Sequence, residues 1–192
     1  MSKHFLSREL IVSKAFRMID ESGTDAFSLR GLAAGLGVQV SSLYNHIENE
    51  LDLLREVVIR AGEMYTEHIE CAVAGLGVEE ATYRAGDAFL IFLKEHRHLY
   101  DLMTNERWIG DPEFEKAIER FTQPIYYLLS LYGVKDKESM DHAYVAMRVV
   151  THGFGTLDSL GAFDRLSVDP RESYHRMIRS VIEMMKRDSA RE

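Results

Sequence analysis

Cysteine is almost missing from this chain of 192 residues. Cys71 stands alone, so no internal disulfide can form, which suits a reducing compartment. Proline is nearly as scarce, with three residues. Alternating apolar and polar positions are rare too, and both shortages disfavour sheets. Long apolar runs are missing: Phe89-Leu90-Ile91-Phe92-Leu93 is far too short to cross a bilayer, and the opening MSKHFLSREL has no signal-peptide core. The expectation is a soluble cytoplasmic protein with no membrane partner. A surplus of base is missing as well. The net charge is −8, and residues 1–55 hold six Lys and Arg against seven Asp and Glu. Composition therefore argues against nucleic acid, although binding depends on the field of one face rather than on the total. No phosphate loop, Gly-x-Ser-x-Gly motif or cysteine pair occurs, so neither an enzyme nor a cofactor is expected.

What is present is helical periodicity. Ser7 is placed to cap a helix through about Glu21, in which Leu10, Ile11, Ala15, Met18 and Ile19 recur at helical spacing and which Gly23 ends. Ser28 is placed to cap a short helix through Leu29, Leu32, Ala33 and Leu36, and Gly37 breaks it. A third short helix is expected from about Val40 to His46. A long one follows from Asn49, its cap, to about Ala72, with Glu50 and Asp52 in the first turn where the helix dipole favours acids. Further helices are expected over about 79–95, 97–103, 113–132, 137–160 and 171–187, punctuated by Pro112, Gly133 and Pro170. The reading is an all-α chain with an N-terminal three-helix domain over 1–55 and a helical domain over 56–192. The division falls within a long helix, with no flexible linker.

The segment from Phe27 to Ile47 is the most informative. Leu32, Ala33 and Leu36 form a buried stripe, Gly37 supplies a backbone conformation that other residues avoid, Val38 plugs the angle between helices, and Leu43 and Ile47 anchor the third helix. The opposite face of that third helix carries Gln39, Val40, Ser41, Ser42, Tyr44, Asn45 and His46, which are small, polar or aromatic. Such a face can enter a major groove without stranding a desolvated charge.

These residues, in this order, resemble the DNA-binding domain of the tetracycline-repressor (TetR) family. The matching pieces are Ala15…Glu21-x-Gly23, Ser28-Leu29-Arg30-x-Leu32-Ala33, Leu36-Gly37-Val38, Leu43-Tyr44-x-His46 and Leu53-Leu54. The resemblance implies a helix-turn-helix on double-stranded DNA, with Val40, Ser41 and Ser42 facing bases and Tyr44 and His46 touching phosphates. Ser28 and Arg30 would meet the backbone or a flanking base. It also implies a repressor, released from a palindromic operator by a small-molecule effector. One departure stands out: where the family usually carries a Lys at the start of the fourth helix, this chain reads Glu48-Asn49-Glu50. Either the operator contact is weaker, or Lys3, Arg8 or the amides of the helix N-terminus compensate.

A second resemblance covers about 148–185. Arg148-x3-His152-Gly153-Phe154-x2-Leu157-x3-Gly161-x-Phe163, followed by Asp169…Ser173, is similar to a WHG-type C-terminal domain found in part of the family. It implies a homodimer whose last two long helices pack on their twins, with Gly153, Gly155 and Gly161 allowing close approach. Tyr65, Phe92, Met103, Trp108, Phe121, Tyr127 and Met147 are candidate effector-pocket residues, Trp108 foremost; ordinary helical core is the competing reading of each. The rival function is a di-iron helical bundle. Glu95 and His98, and Glu172 and His175, each share a helical face, yet two further inward carboxylates cannot be named.

Overall fold

The computed structural model describes residues 6–190. Among them are nine α-helices and no strand: α1 (Arg8–Ser22), α2 (Leu29–Leu36), α3 (Val40–Leu43), α4 (Glu50–Val73), α5 (Val78–Glu95), α6 (Arg97–Met103), α7 (Pro112–Ser130), α8 (Lys137–Ser159) and α9 (Pro170–Ser189). The caps are where the sequence puts them. Ser7 Oγ accepts from Leu10 N–H at 3.2 Å, Ser28 Oγ from Gly31 N–H at 3.1 Å, and Asn49 Oδ1 from Asp52 N–H at 2.9 Å. No described helix is long and apolar enough to cross a membrane.

The chain forms two compact units. The first comprises residues up to Met64 together with His96–Ile118; the second comprises Tyr65–Glu95 and the chain from Glu119 onward. The division therefore falls later than residue 55, and the α6 segment returns to the first unit.

In the first unit Ile11, Ala15, Ile19, Leu32, Leu43, Leu53, Val57, Leu99 and Trp108 share one core. Burial of these side chains is what fixes α1, α2 and α4 around the short α3. Two polar ties bind residues 96–118 to it. His96 Nδ1 lies 3.0 Å from both carboxylate oxygens of Asp20, and the Arg55 guanidinium meets the Asp111 carboxylate at 2.8 Å.

In the second unit α8 and α9 pack around Met147, Phe154, Tyr174, Ile178, Ile182 and Met185. Glycines set the approach of α5. A Cβ on Gly155 would lie 3.0–3.3 Å from Leu93, Leu90 and Phe89, and one on Gly86 would lie 2.5 Å from the Tyr174 hydroxyl. The expected roles of the α8 glycines change accordingly. Gly155 serves contact with α5 of its own chain. Gly161, at φ +68, closes the end of α8 beside Asp164. Gly153 alone is exposed with open space over it.

Candidate nucleic-acid interface

The turn between α2 and α3 follows from local chemistry. Gly37 is left-handed at φ 69, Gly37 N–H donates to Ala34 O at 3.1 Å, and Val38 N–H donates to Ala33 O at 3.0 Å. This pair of bonds closes the helix, and Val38 follows it into the edge of the core. Helical bonding in α3 is shorter than the expected span to His46. It stops at Leu43, and residues 44–46 continue as a tight turn in which His46 N–H donates to Leu43 O at 2.8 Å. The strip Ser-Ser-Leu-Tyr-Asn has little helix propensity, so the turn is held by Leu43 and Ile47, both buried.

On the outer side Gln39, Ser41, Tyr44 and Asn45 are exposed, Tyr44 at 52%, while Ser42 and His46 are half-buried. Val40 departs from the expected placement, because its side chain packs partly against the core. Ser28 and Arg30 are exposed at the start of α2, and the Ser28 oxygen also caps that helix. The structure thus gathers Ser28, Arg30, Gln39, Ser41, Ser42, Tyr44, Asn45 and His46 on one unit, with Val40 at the margin of the group.

The charges around this face are arranged differently from the expectation. Glu48 and Glu50 are exposed at the entry to α4. Arg8 is not available to offset them, because its guanidinium bonds to Asp52, Glu56 and the His46 carbonyl. Hydrogen bonding to Asp52 raises the affinity of Arg8 for its proton, and Arg8 holds the Asp52 carboxyl below the usual carboxylate range. Lys3 lies outside the described residues. At the N-termini of α2 and α4 the Gly31 and Asp52 amides are already bonded to the caps Ser28 and Asn49.

The candidate effector residues separate. Met103 and Trp108 belong to the first unit's core. The Trp108 indole N–H donates to Leu102 O at 2.7 Å and its ring lies 5.5 Å from that of Phe114, so it is a structural residue. Tyr65 meets Phe92 edge-on at 5.2 Å inside the second unit, where Phe92, Phe121 and Met147 are buried. Only Tyr127 of the seven lines the open groove of about 650 Å³ in that unit, beside Val73, Leu76, Val78, Arg120 and Leu128. Arg120 and the α4–α5 turn had no pattern in the sequence to mark them.

The rival metal reading finds no ligand set. His175 Nε2 bonds Asp87 at 2.9 Å and Glu172 pairs with Arg176 at 2.9 Å. No group of three or more His, Cys, Asp or Glu side chains suited to a metal occurs among the described residues.

Residues 83–181 match the family model described as "Tetracyclin repressor-like, C-terminal domain". The HTH-type transcriptional regulator Rv0681 of Mycobacterium tuberculosis is 32% identical over 165 residues, covering 85% of this chain and 75% of that protein. The chain belongs to the TetR family. The family model begins well before the WHG-like segment at 148 and spans most of α5 and all of α6 and α7 as well. The TetR fold is shared with ActR of Streptomyces coelicolor, whose structure without ligand matches at TM-score 0.68 and 19% identity, covering 100% of this chain and 99% of that one. A second ActR structure, in complex with (S)-DNPA, matches at TM-score 0.63 and 20% identity, covering 96% and 99%. This chain is accordingly a transcriptional regulator of the TetR family with an all-α fold.

Proposed function

We propose that this TetR-family protein is a cytoplasmic repressor that binds a palindromic operator as a homodimer and is released by a small, largely apolar molecule. The observation that carries the DNA reading is the third-helix face. Gln39, Ser41, Tyr44 and Asn45 stand exposed behind a glycine-closed turn, with Ser28 and Arg30 beside them. Hydroxyls and amides there suit base edges, and Tyr44 and His46 suit phosphates.

The dimer reading rests on α8. Val145, Val149 and Leu157 are exposed at 54%, 66% and 47%, at helical spacing along one face with the open Gly153. Leu160, Leu166 and Val168 extend the apolar surface beyond the helix. A run of exposed apolar side chains along one helix face supports an interface there. A two-fold dimer presents its reading helices about one duplex turn apart, ~34–36 Å, and so calls for a palindrome.

The effector reading rests on the groove beside Tyr127, mostly apolar with Arg120, Gln123 and Glu70 as polar members. Release requires the effector to bind the DNA-free state more tightly, and a tenfold preference corresponds to about 1.4 kcal/mol.

Selection from random duplex DNA tests the reading. A two-fold-symmetric consensus is expected. Enrichment of sequences without two-fold symmetry, or no enrichment at all, would refute it.

A further inference from the structure

We infer that Arg8 is a positioning residue for the reading head: with Asp52 it clamps the exit of α3 to the start of α4 and so sets the aim of the third-helix face. The inference rests on the DNA reading proposed above and deepens it. Arg8 opens α1, far in sequence from the residues it touches. Its Nη1 donates to His46 O at 2.7 Å and to Asp52 Oδ2 at 3.0 Å, and its Nη2 donates to Asp52 Oδ1 at 2.7 Å and Glu56 Oε1 at 3.0 Å. Asp52 Oδ2 also accepts the backbone N–H of Glu48 at 2.9 Å.

The two peptide groups on either side of Ile47 are therefore both held by one guanidinium–carboxylate pair. The regular helix has already ended at Leu43, and beyond it Ile47 N–H still donates to Leu43 O at 3.1 Å, so the clamp acts on the peptide groups where that last local bond gives out. Below, Ile47 is buried at 3% exposure and gives the clamp an apolar footing. A forked, two-point contact fixes direction as well as distance, which a lysine at position 8 could not reproduce.

The clamp and plain electrostatics make opposite predictions. Asp52 is a carboxylate near a DNA-facing edge, so removing its charge should tighten binding if charge alone matters. If the pair positions the reading face, Asp52→Asn should weaken binding despite losing a negative charge. Arg8→Gln should weaken it too, and Arg8→Lys should recover part of the loss.

The test compares the full-length wild type, Asp52→Asn, Arg8→Gln and Arg8→Lys on the selected duplex and on a scrambled one, well below each melting temperature. Losses of about 5- to 30-fold on the selected duplex are expected for Asp52→Asn and Arg8→Gln, with little change on the scrambled duplex. The slope of log affinity against log salt should stay at the wild-type value. A slope shallower by about 0.9 per half-site in Arg8→Gln would make Arg8 a phosphate contact and overturn the inference. Equal or tighter binding by Asp52→Asn would also overturn it. A second readout needs no DNA: hydrogen exchange at the Glu48 amide should accelerate in both variants, and unchanged exchange refutes the clamp. If wild-type protein selects no duplex while the Glu48 amide still loosens in the variants, the DNA reading fails and the clamp stands.

Discussion

Gly86 and Tyr174 meet where α5 crosses α9, and their chemistry allows a prediction with opposite signs for two single changes. The Tyr174 hydroxyl is buried and has no hydrogen-bond partner among the described residues. Burial pushes its phenol well above the ordinary tyrosine range. An unmatched buried hydroxyl costs about 1–3 kcal/mol, so Tyr174→Phe should stabilise the protein by about 1 kcal/mol. Gly86→Ala is ordinarily favourable inside a helix, by about 1 kcal/mol. Here the new methyl would sit 2.5 Å from the Tyr174 oxygen and 2.7 Å from Ile178 Cδ1. Overpacking of this kind costs about 1–3 kcal/mol, so the net change should be destabilising by about 1 kcal/mol. In the Tyr174→Phe background the 2.5 Å contact disappears and only the mobile end of Ile178 must yield. Gly86→Ala should then be neutral or stabilising. The coupling between the two sites is expected at about 1–2 kcal/mol, well outside additivity. Thermal or urea unfolding of the four proteins at one fixed concentration measures it, since each kcal/mol shifts the midpoint by about 2–4 °C in a chain of this size. Additivity within about 0.5 kcal/mol, or a destabilising Tyr174→Phe, would refute the reasoning and show that the hydroxyl is bonded.

Glu50→Lys replaces an exposed carboxylate at the entry to α4 by an ammonium and should raise operator affinity by about 1 kcal/mol per half-site. The salt slope should steepen by about 0.9 for each new phosphate contact, and equal slopes would place this side chain away from DNA. Val149→Asp, on the exposed face of α8, should weaken the dimer at least about tenfold by sedimentation while leaving far-ultraviolet circular dichroism unchanged; an unaltered dimer would place the interface elsewhere. His152 is pushed down to about 4 by burial, with Arg148 adding to the effect. Its neutral form is the folded one, so the stability it contributes is complete above about pH 6.5 and is lost as pH falls toward 4. His152→Phe should flatten that stretch of the stability–pH curve, and an unchanged curve would mean that the imidazole is not the titrating group.

The parts of the fold that the sequence made legible are those whose cause is local. Ser7, Ser28 and Asn49 cap helices because a side-chain oxygen three residues before an N–H can reach it, whatever the rest of the chain does. Gly37 reads as a turn for the same reason. What stayed hidden depends on partners far along the chain. Nothing around Asp20 announces His96, and nothing around Arg55 announces Asp111, yet these pairs bring residues 96–118 into the first unit. Trp108, flanked by Gly and Pro, looked like an indole available to an effector, whereas its N–H is bonded to Leu102 O. The spacing of Gly153, Gly155 and Gly161 suggested one shared role. Three different surroundings give them three roles, and Gly155 differs because α5 arrives from 60 residues upstream.

The candidate interface shows the same division more sharply. Its neutral polar face could be read from the order of residues 39–46, because side-chain type is a local property. Its electrostatics could not, because they depend on which charges are already paired. Of the bases in residues 1–55, Arg8 bonds Asp52, Glu56 and a backbone carbonyl, and Arg55 bonds Asp111. Counting six bases against seven acids therefore says little about the field a phosphate would meet. Lys14 lies along α2, with its Cε 3.0 Å from the place a Cβ on Gly35 would take, while Arg17 and Arg30 are exposed. A head of this kind has few cations to release counterions with. On the DNA reading proposed above, more of its affinity would come from hydroxyls and amides that must be aimed well to contribute, because a neutral hydrogen bond falls off steeply with angle where a charge does not. That requirement is why a rigid exit from α3 matters more here than the net charge of −8.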